Sequence, residues 1–187
     1  AHGGVDNSSE GAGKVQTLFG RLHGRKADSR SILMTSWQPL YDLDEGRLQA
    51  LPEIHHAAFL REDDAAVEHE VLTTWRACQP DLAFIHLDAV DQAGHNGAFD
   101  PSDPGYAAAV RATDSRIRRL WENAFASPSA QGAMPQRMVV FASDHGGTGN
   151  GHGRYSEAER WAPLLVIPPS GYPAVNIRNL VDIGQAA

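Results

Sequence analysis

Short apolar runs of strand length alternate along the chain with longer stretches in which apolar residues recur every three or four positions. The run at 82–87 is broken only by His86, and a near-continuous apolar run of this length is typical of a strand covered on both faces. The same criterion predicts further strands, at 31–35, 138–142 and 164–167.

Helical spacing marks the segments between these runs. A helix is predicted from Asp63 or Asp64 to about Cys78, because either aspartate can cap it and Val67 and Val71 share one face. The helices predicted elsewhere lie at 15–22, 104–125 and 176–183, and the loops at 1–14 and 126–136. His55 and His56 follow a proline in a polar stretch and are expected to face solvent in a loop.

Alternating strands and helices predict an α/β fold with a mostly parallel sheet and helices on both of its faces. The length of 187 residues suits one domain, and no internal repeat is visible, so a single domain over 1–187 is expected. Ligands bind beyond the carboxyl ends of strands in such sheets, and polar residues at those ends are therefore candidates for function.

Composition narrows the classes of function. The net charge of −7 and the scattering of the 16 Lys and Arg residues argue against a general nucleic-acid-binding surface. The densest basic cluster, within 111–119, is interpreted as a solvated helix face. No apolar run reaches the roughly 18 residues of a membrane span, and Cys78 has no partner for a disulfide. Oligomeric state and compartment are left unassigned.

Two short motifs carry the candidate chemistry. Asp91 and His95 follow the second predicted strand, and Asp144 and His145, with His152 shortly after them, follow the third. Both motifs are expected in loops at the sheet edge. Carboxylate and neutral imidazole groups are ligands for Zn²⁺ and, as an alternative, Mn²⁺, and five of them exceed the needs of one tetrahedral ion with an open position. A site for two divalent ions is therefore predicted, with the neighbouring glycines allowing tight turns.

These stretches resemble the alkaline phosphatase superfamily, and within it the type I phosphodiesterase and nucleotide pyrophosphatase branch. The resemblance lies in the segments 86–95, 106–117 and 141–147, and in Gly151-His152-Gly153 with the strand that follows. It implies an alkaline-phosphatase-like core and hydrolysis of a small-molecule or head-group phosphoester through two zinc ions. It also implies that Asp91, His95 and His152 hold one ion while Asp144 and His145 hold the other.

The opening segment 2–7 resembles a family motif that ends in an asparagine, which implies that Asn7 donates a hydrogen bond to a phosphoryl oxygen of the substrate. In the family, a metal-binding Asp and a Thr or Ser nucleophile precede that motif. The motif begins here at residue 2, so the nucleophile and one carboxylate ligand are expected to lie outside this chain, which alone would be inactive. Thr35 and Ser36 are the nearest hydroxyls after a strand, but they lie downstream of the family's nucleophile position, so this role is disfavoured for both.

Alternatives stay open at this stage. The same scaffold could serve a sulfatase or a phosphoethanolamine transferase, which the identity of the nucleophile would distinguish. A metal-binding remnant without catalysis is a third interpretation, which would bind zinc without turnover. Asp88 could orient His95 or could make a hydrogen bond at the strand end.

Overall fold

A computed structural model describes residues 17–41, 54–126 and 136–169. The predicted loop at 1–14 with Asn7, the predicted helix at 176–183 and most of the loop at 126–136 lie outside these ranges. The chain forms two compact units, residues 1–88 and residues 89–187. The single domain stays a prediction.

The first unit contains a parallel three-stranded sheet. Its strands are β1 (Ser31–Thr35), β2 (His56–Phe59) and β3 (Leu82–His86), in the order β2-β1-β3. Leu33 of β1 is level with Ala57 of β2 and with Phe84 of β3. This sheet, flanked by helices, confirms the predicted α/β fold.

The central strand β1 is the one that is fully covered. Its residues Ser31 to Thr35 are at most 1% exposed, whereas β3 is only half-buried and exposes Phe84. The expectation that this run is covered on both faces is therefore wrong for β3, which lies at the end of the described strand order. Leu33 packs with Phe19 and Ile54 in a buried cluster, against which Ala57 and Leu82 rest.

Helices of the first unit are α1 (Leu18–Arg25), α2 (Gln38–Tyr41) and α3 (Asp64–Cys78). The prediction for α3 is confirmed: the Asp63 carboxylate accepts hydrogen bonds from the N–H groups of Ala65 and Ala66. Behind this cap, α3 buries Val67, Val71 and Trp75. Helix α1 begins at Leu18 because the Thr17 hydroxyl caps it through the Gly20 N–H.

Strand β2 corrects the expected loop at His56, whereas His55 is exposed in a bend before the strand, as expected. His56 lies in β2, and its Nε2 is 2.9 Å from Oε1 of Glu70 on α3. The sequence His-Ala-Ala-Phe is too short and too weakly apolar to predict a strand, and pairing with β1 stabilises it instead.

The second unit contains helices α4 (Ala89–Asn96), α5 (Pro104–Leu120) and α6 (Glu157–Arg160) and strands β4 (Val139–Ala142) and β5 (Leu164–Ile167). Helix α5 confirms the long predicted helix and ends in a π-helical turn, Trp121–Phe125. Strands β4 and β5 pair antiparallel in a separate two-stranded sheet. The apolar runs of the sequence predict both strands but not which strands pair. Among the described residues, no helix is long and apolar enough to cross a membrane.

Candidate metal centre

Helix α4 positions the first pair of candidate ligands. Asp91 lies in its first turn and His95 in its last, four residues apart, so both side chains project from one face. The expected loop at these residues is thus wrong: the chain becomes helical immediately after Asp88. The helical spacing brings Nε2 of His95 within 3.3 Å of Oδ2 of Asp91.

The segment after β4 carries Asp144, at a bend, and His145 outside any helix or strand, as expected for a loop. Gly146 and Gly147 follow, and their small size matters more than their backbone freedom. A Cβ at Gly146 would overlap the Ala158 carbonyl, and one at Gly147 would overlap the Phe99 ring. The prediction that these glycines serve tight left-handed turns is therefore wrong, because close packing is what excludes a side chain there.

A tight turn then returns the chain to the site. Thr148 and Gly151 bond to one another through their backbones, and Gly149 between them has a φ of +57°. Gly153 has a φ of +95°, which also favours glycine. His152 is held between these turns.

Asp91, His95 and His152 converge. Each offers one ligand atom, and these atoms all lie within 4.8 Å of one another. The Nε2 atoms of His95 and His152 are 3.0 Å apart, and His152 Nε2 is 3.5 Å from Asp91 Oδ1. In tetrahedral zinc sites with bonds of about 2.0–2.2 Å, neighbouring ligand atoms are roughly 3.3–3.6 Å apart. The three side chains therefore have the spacing of one shared ion.

The Asp91 carboxylate supplies a separate test of this fit. Its Oδ1 atom is buried and accepts no hydrogen bond from the described residues. A buried carboxylate oxygen without a donor is costly unless a cation compensates its charge. The Nε2 atoms of His152 and His145 lie 3.5 and 4.0 Å from it, which are ligand-to-ligand distances rather than hydrogen bonds. The residues present thus fit a divalent cation.

His145 and Asp144 lie beside this group. Nε2 of His145 is 3.6 Å from Oδ2 of Asp144, and its ring stacks on that of His152 with centroids 3.7 Å apart. The Asp144 side chain is 78% exposed. These two residues share the spacing of a ligand pair but lie outside the three-residue cluster.

Backbone carbonyls orient two of the imidazoles. Nδ1 of His95 is 2.9 Å from the Asn150 carbonyl, and Nδ1 of His145 is 3.0 Å from the Gly146 carbonyl. A carbonyl can only accept, so Nδ1 carries the proton and Nε2 presents its lone pair to the site. The Asn150 carbonyl therefore orients His95 through Nδ1. The backbone N–H of Asp88 bonds to Ser36 and Asp64 at the end of β3, and a role of its carboxylate in orienting His95 stays a prediction.

Burial keeps His152 suited to metal binding. Its burial first, and then the neighbouring His145, lower the pKa of His152 below the ordinary 6.5, against the opposing effect of Asp91. A neutral imidazole is the form that binds a metal ion. Phe99 borders the same rings edge to face, with centroids 5.4 Å from His95 and 5.9 Å from His152.

Glu159, which the sequence analysis did not consider, connects the two loops. Its backbone carbonyl accepts from the Gly146 N–H at 2.9 Å, while its carboxylate accepts from the Arg154 and Ser156 N–H groups at 3.2 Å. The Ser156 hydroxyl completes a capping box at the start of α6. The Ser-x-x-Glu spacing at 156–159 was the signal that could have identified this residue.

A comparison with protein families agrees with a metal site, although a comparison with individual curated proteins finds no match. The sequence profile of the family described as type I phosphodiesterase / nucleotide pyrophosphatase matches residues 17–183, which is most of the chain. Members of this family are metal-dependent and hydrolyse phosphoesters. The chain belongs to the type I phosphodiesterase / nucleotide pyrophosphatase family.

Proposed function

We propose that this chain supplies the metal centre of a phosphodiesterase or phosphatase that uses two divalent ions, with Zn²⁺ favoured and Mn²⁺ as the alternative. One ion is assigned to Asp91, His95 and His152. The observation that carries this assignment is the convergence of their ligand atoms within 4.8 Å around a carboxylate oxygen that has no hydrogen-bond donor. The family match supports phosphorus, rather than the sulfur of a sulfatase substrate, as the reacting centre.

The second ion is assigned to Asp144 and His145. His145 Nε2 lies 4.0 Å from Asp91 Oδ1, so the Asp91 carboxylate faces both proposed ions. Two ligands hold an ion less firmly than three, and the exposed Asp144 carboxylate pays more conformational entropy on binding. The Asp144 and His145 site is therefore the weaker one.

The protein groups prepare the site for a phosphoester. The Asn150 and Gly146 carbonyls orient His95 and His145 through Nδ1, and Phe99 packs edge to face against the His95 and His152 rings. Bound divalent cations act as Lewis acids toward phosphoryl oxygens and compensate the charge that develops there. Asn7 is proposed to donate a hydrogen bond to a phosphoryl oxygen; it lies outside the described residues.

No nucleophile is assigned among the residues that the structure describes. Thr35 and Ser36 are both fully buried. The Thr35 hydroxyl donates to the Trp37 carbonyl, and the Ser36 hydroxyl donates to Oδ1 of Asp64 at 2.6 Å. Neither hydroxyl is accessible to a substrate, which supports a nucleophile elsewhere.

Metal content after dialysis tests the proposal. We expect about one tightly held zinc per chain, lost in His95→Ala and in His152→Ala. His69→Ala is the matched control, because His69 is exposed on α3. Any hydrolysis of p-nitrophenyl phosphoesters by the zinc-loaded protein should disappear in His95→Ala. Retention of zinc and activity by that variant would contradict the assignment.

A further inference from the structure

A cavity of about 320 Å³ opens beside His152. Its wall is the turn at 148–151, and Arg154 and Glu159 complete the lining. A side chain added at Gly149 or at Gly151 would meet no atom within 4 Å, so the turn faces open space. Because His152 belongs to both the cavity and the proposed metal cluster, a molecule bound at the ion can extend into this space.

The residues that line the cavity indicate which chemical class of ligand it can bind. The lining consists of small, polar and charged residues, and its one aromatic ring is the His152 imidazole, which is assigned to the ion and stacks on His145. Among these described residues, no further aromatic or aliphatic side chain covers a nucleobase or an acyl chain. The Glu159 carboxylate is already occupied, because both of its oxygens accept hydrogen bonds from residues 154–156. Both oxygens are therefore engaged within the protein, and these hydrogen bonds, first that of the Ser156 side chain, together with the nearby Arg154 charge lower the pKa of this carboxyl.

Arg154 is the cation of this lining. Its backbone N–H donates a hydrogen bond to Glu159 Oε1 at 3.2 Å, which positions the Arg154 backbone beside the cavity. Its guanidinium makes no hydrogen bond or ion pair with other residues in the described part of the chain. The planar guanidinium can donate two parallel hydrogen bonds to a carboxylate or a phosphate.

We propose that this cavity binds the leaving-group side of the substrate and that Arg154 selects a compact leaving group that carries its own carboxylate or phosphate. The inference rests on the proposed function, because it places the scissile phosphoryl group at the ion beside His152. Arg154 is a specificity-determining residue in this arrangement, and the bulk of a nucleoside or a lipid is disfavoured.

Equilibrium binding tests this inference without turnover. The zinc-loaded chain is titrated calorimetrically with ethylphosphonate and with 3-phosphonopropionate, which has the same phosphonate and an added carboxylate. We expect the wild-type protein to bind 3-phosphonopropionate about tenfold more tightly, as for a hydrogen-bonded charge pair. Arg154→Gln should remove this preference and leave ethylphosphonate affinity within about twofold. Arg154→Lys should retain part of it, because the charge remains but the paired donors are lost.

Arg118→Gln is the matched control, since Arg118 lies on the exposed face of α5 and loses the same charge. It should leave both affinities unchanged. Equal weakening of both phosphonates by Arg154→Gln, or no wild-type preference for the carboxylate, overturns the leaving-group assignment and leaves the metal centre standing. Failure of the wild-type protein to bind either phosphonate overturns the assignment together with the proposed function.

Discussion

Oδ1 of Asp91 lies 3.5 Å from Nε2 of His152, which is too far for a good hydrogen bond. No other described group donates a hydrogen bond to this oxygen. The carboxylate oxygen is buried beside the imidazoles of His152, whose pKa burial lowers, and of His145, whose Nδ1 contacts the Gly146 carbonyl. This arrangement is costly for the metal-free protein and favourable once a cation binds. Stability and metal affinity should therefore respond to Asp91 in opposite directions.

Asp91→Asn should separate these two effects. Zinc affinity should fall by at least about 100-fold, because a charged ligand is lost. The metal-free variant should unfold at a temperature equal to or above that of the metal-free wild type, since the amide carries no charge to leave uncompensated. Zinc titration and thermal unfolding in a chelator measure both quantities. Asp114→Asn, at an exposed position on α5, is the control, and a metal-free Asp91→Asn protein of clearly lower stability would contradict the interpretation.

Gly146→Ala should destabilise the second unit by about 1–3 kcal/mol through overpacking. The added methyl group would overlap the Ala158 carbonyl, which is backbone and cannot rotate away. Gly151→Ala meets no atom within 4 Å and should change the free energy of unfolding by less than about 0.5 kcal/mol. Denaturant unfolding of both variants provides the comparison. Equal stability of the two would show that Gly146 has more room than the structure gives it.

Glu159→Gln should weaken the connection between the two ligand-bearing loops. Hydrogen bonds to its carboxylate, first from the Ser156 side chain and then from the Ser156 and Arg154 N–H groups, lower the pKa of Glu159 below the ordinary 4.5. The unfolded chain therefore binds the proton more readily, and the stabilisation is present above pH 4.5 and is lost as the pH falls through the lowered folded value.

The measurement for this prediction is thermal unfolding of metal-free wild type and Glu159→Gln between pH 3 and pH 7. The difference between them should be greatest near neutrality and should shrink on acidification. Glu157→Gln, exposed in the same helix, is the matched control. A difference that does not depend on pH would mean that the charge of Glu159 contributes nothing.

Leu33→Ala should cost about 2–5 kcal/mol of unfolding free energy, because it opens a cavity in the cluster with Phe19 and Ile54. Leu165→Ala removes the same atoms from a side chain that is 55% exposed and should cost less than about 1 kcal/mol. Chemical denaturation followed by circular dichroism compares the two. A similar cost at both positions would place the core of the first unit elsewhere.

Sequence patterns predicted the elements that local physics determines. The cap at Asp63 and the apolar face of α3 defined that helix, and the apolar run at β1 defined a buried strand. Strand β2 was missed because its stability comes from pairing with β1, which no local pattern encodes. Helix α4 was mistaken for a loop because Gly94 and its polar neighbours are weak helix formers, and the packing of Gly94 against Phe99 compensates.

In the candidate site, too, some features could be predicted from the local sequence and others depend on the folded structure. Residue type and order identified Asp91, His95 and His152 as candidate ligands, and the structure brings them together. The Asn150 carbonyl that orients His95 could not be foreseen, because every residue has a carbonyl and only the folded turn selects one. Thus side-chain chemistry is readable from the sequence, whereas backbone contacts require the fold.

Helix α6 has a consequence for how the site opens. Four residues cannot form a stable helix alone, and the Glu159 backbone and side chain bind the Gly146 and Arg154 amides at once. Unfolding of this one turn releases both loops, so the two amides should exchange hydrogen with solvent at a common rate. The residence time of a metal ion at His145 or His152 would then be limited by the opening of a helix that carries no ligand itself.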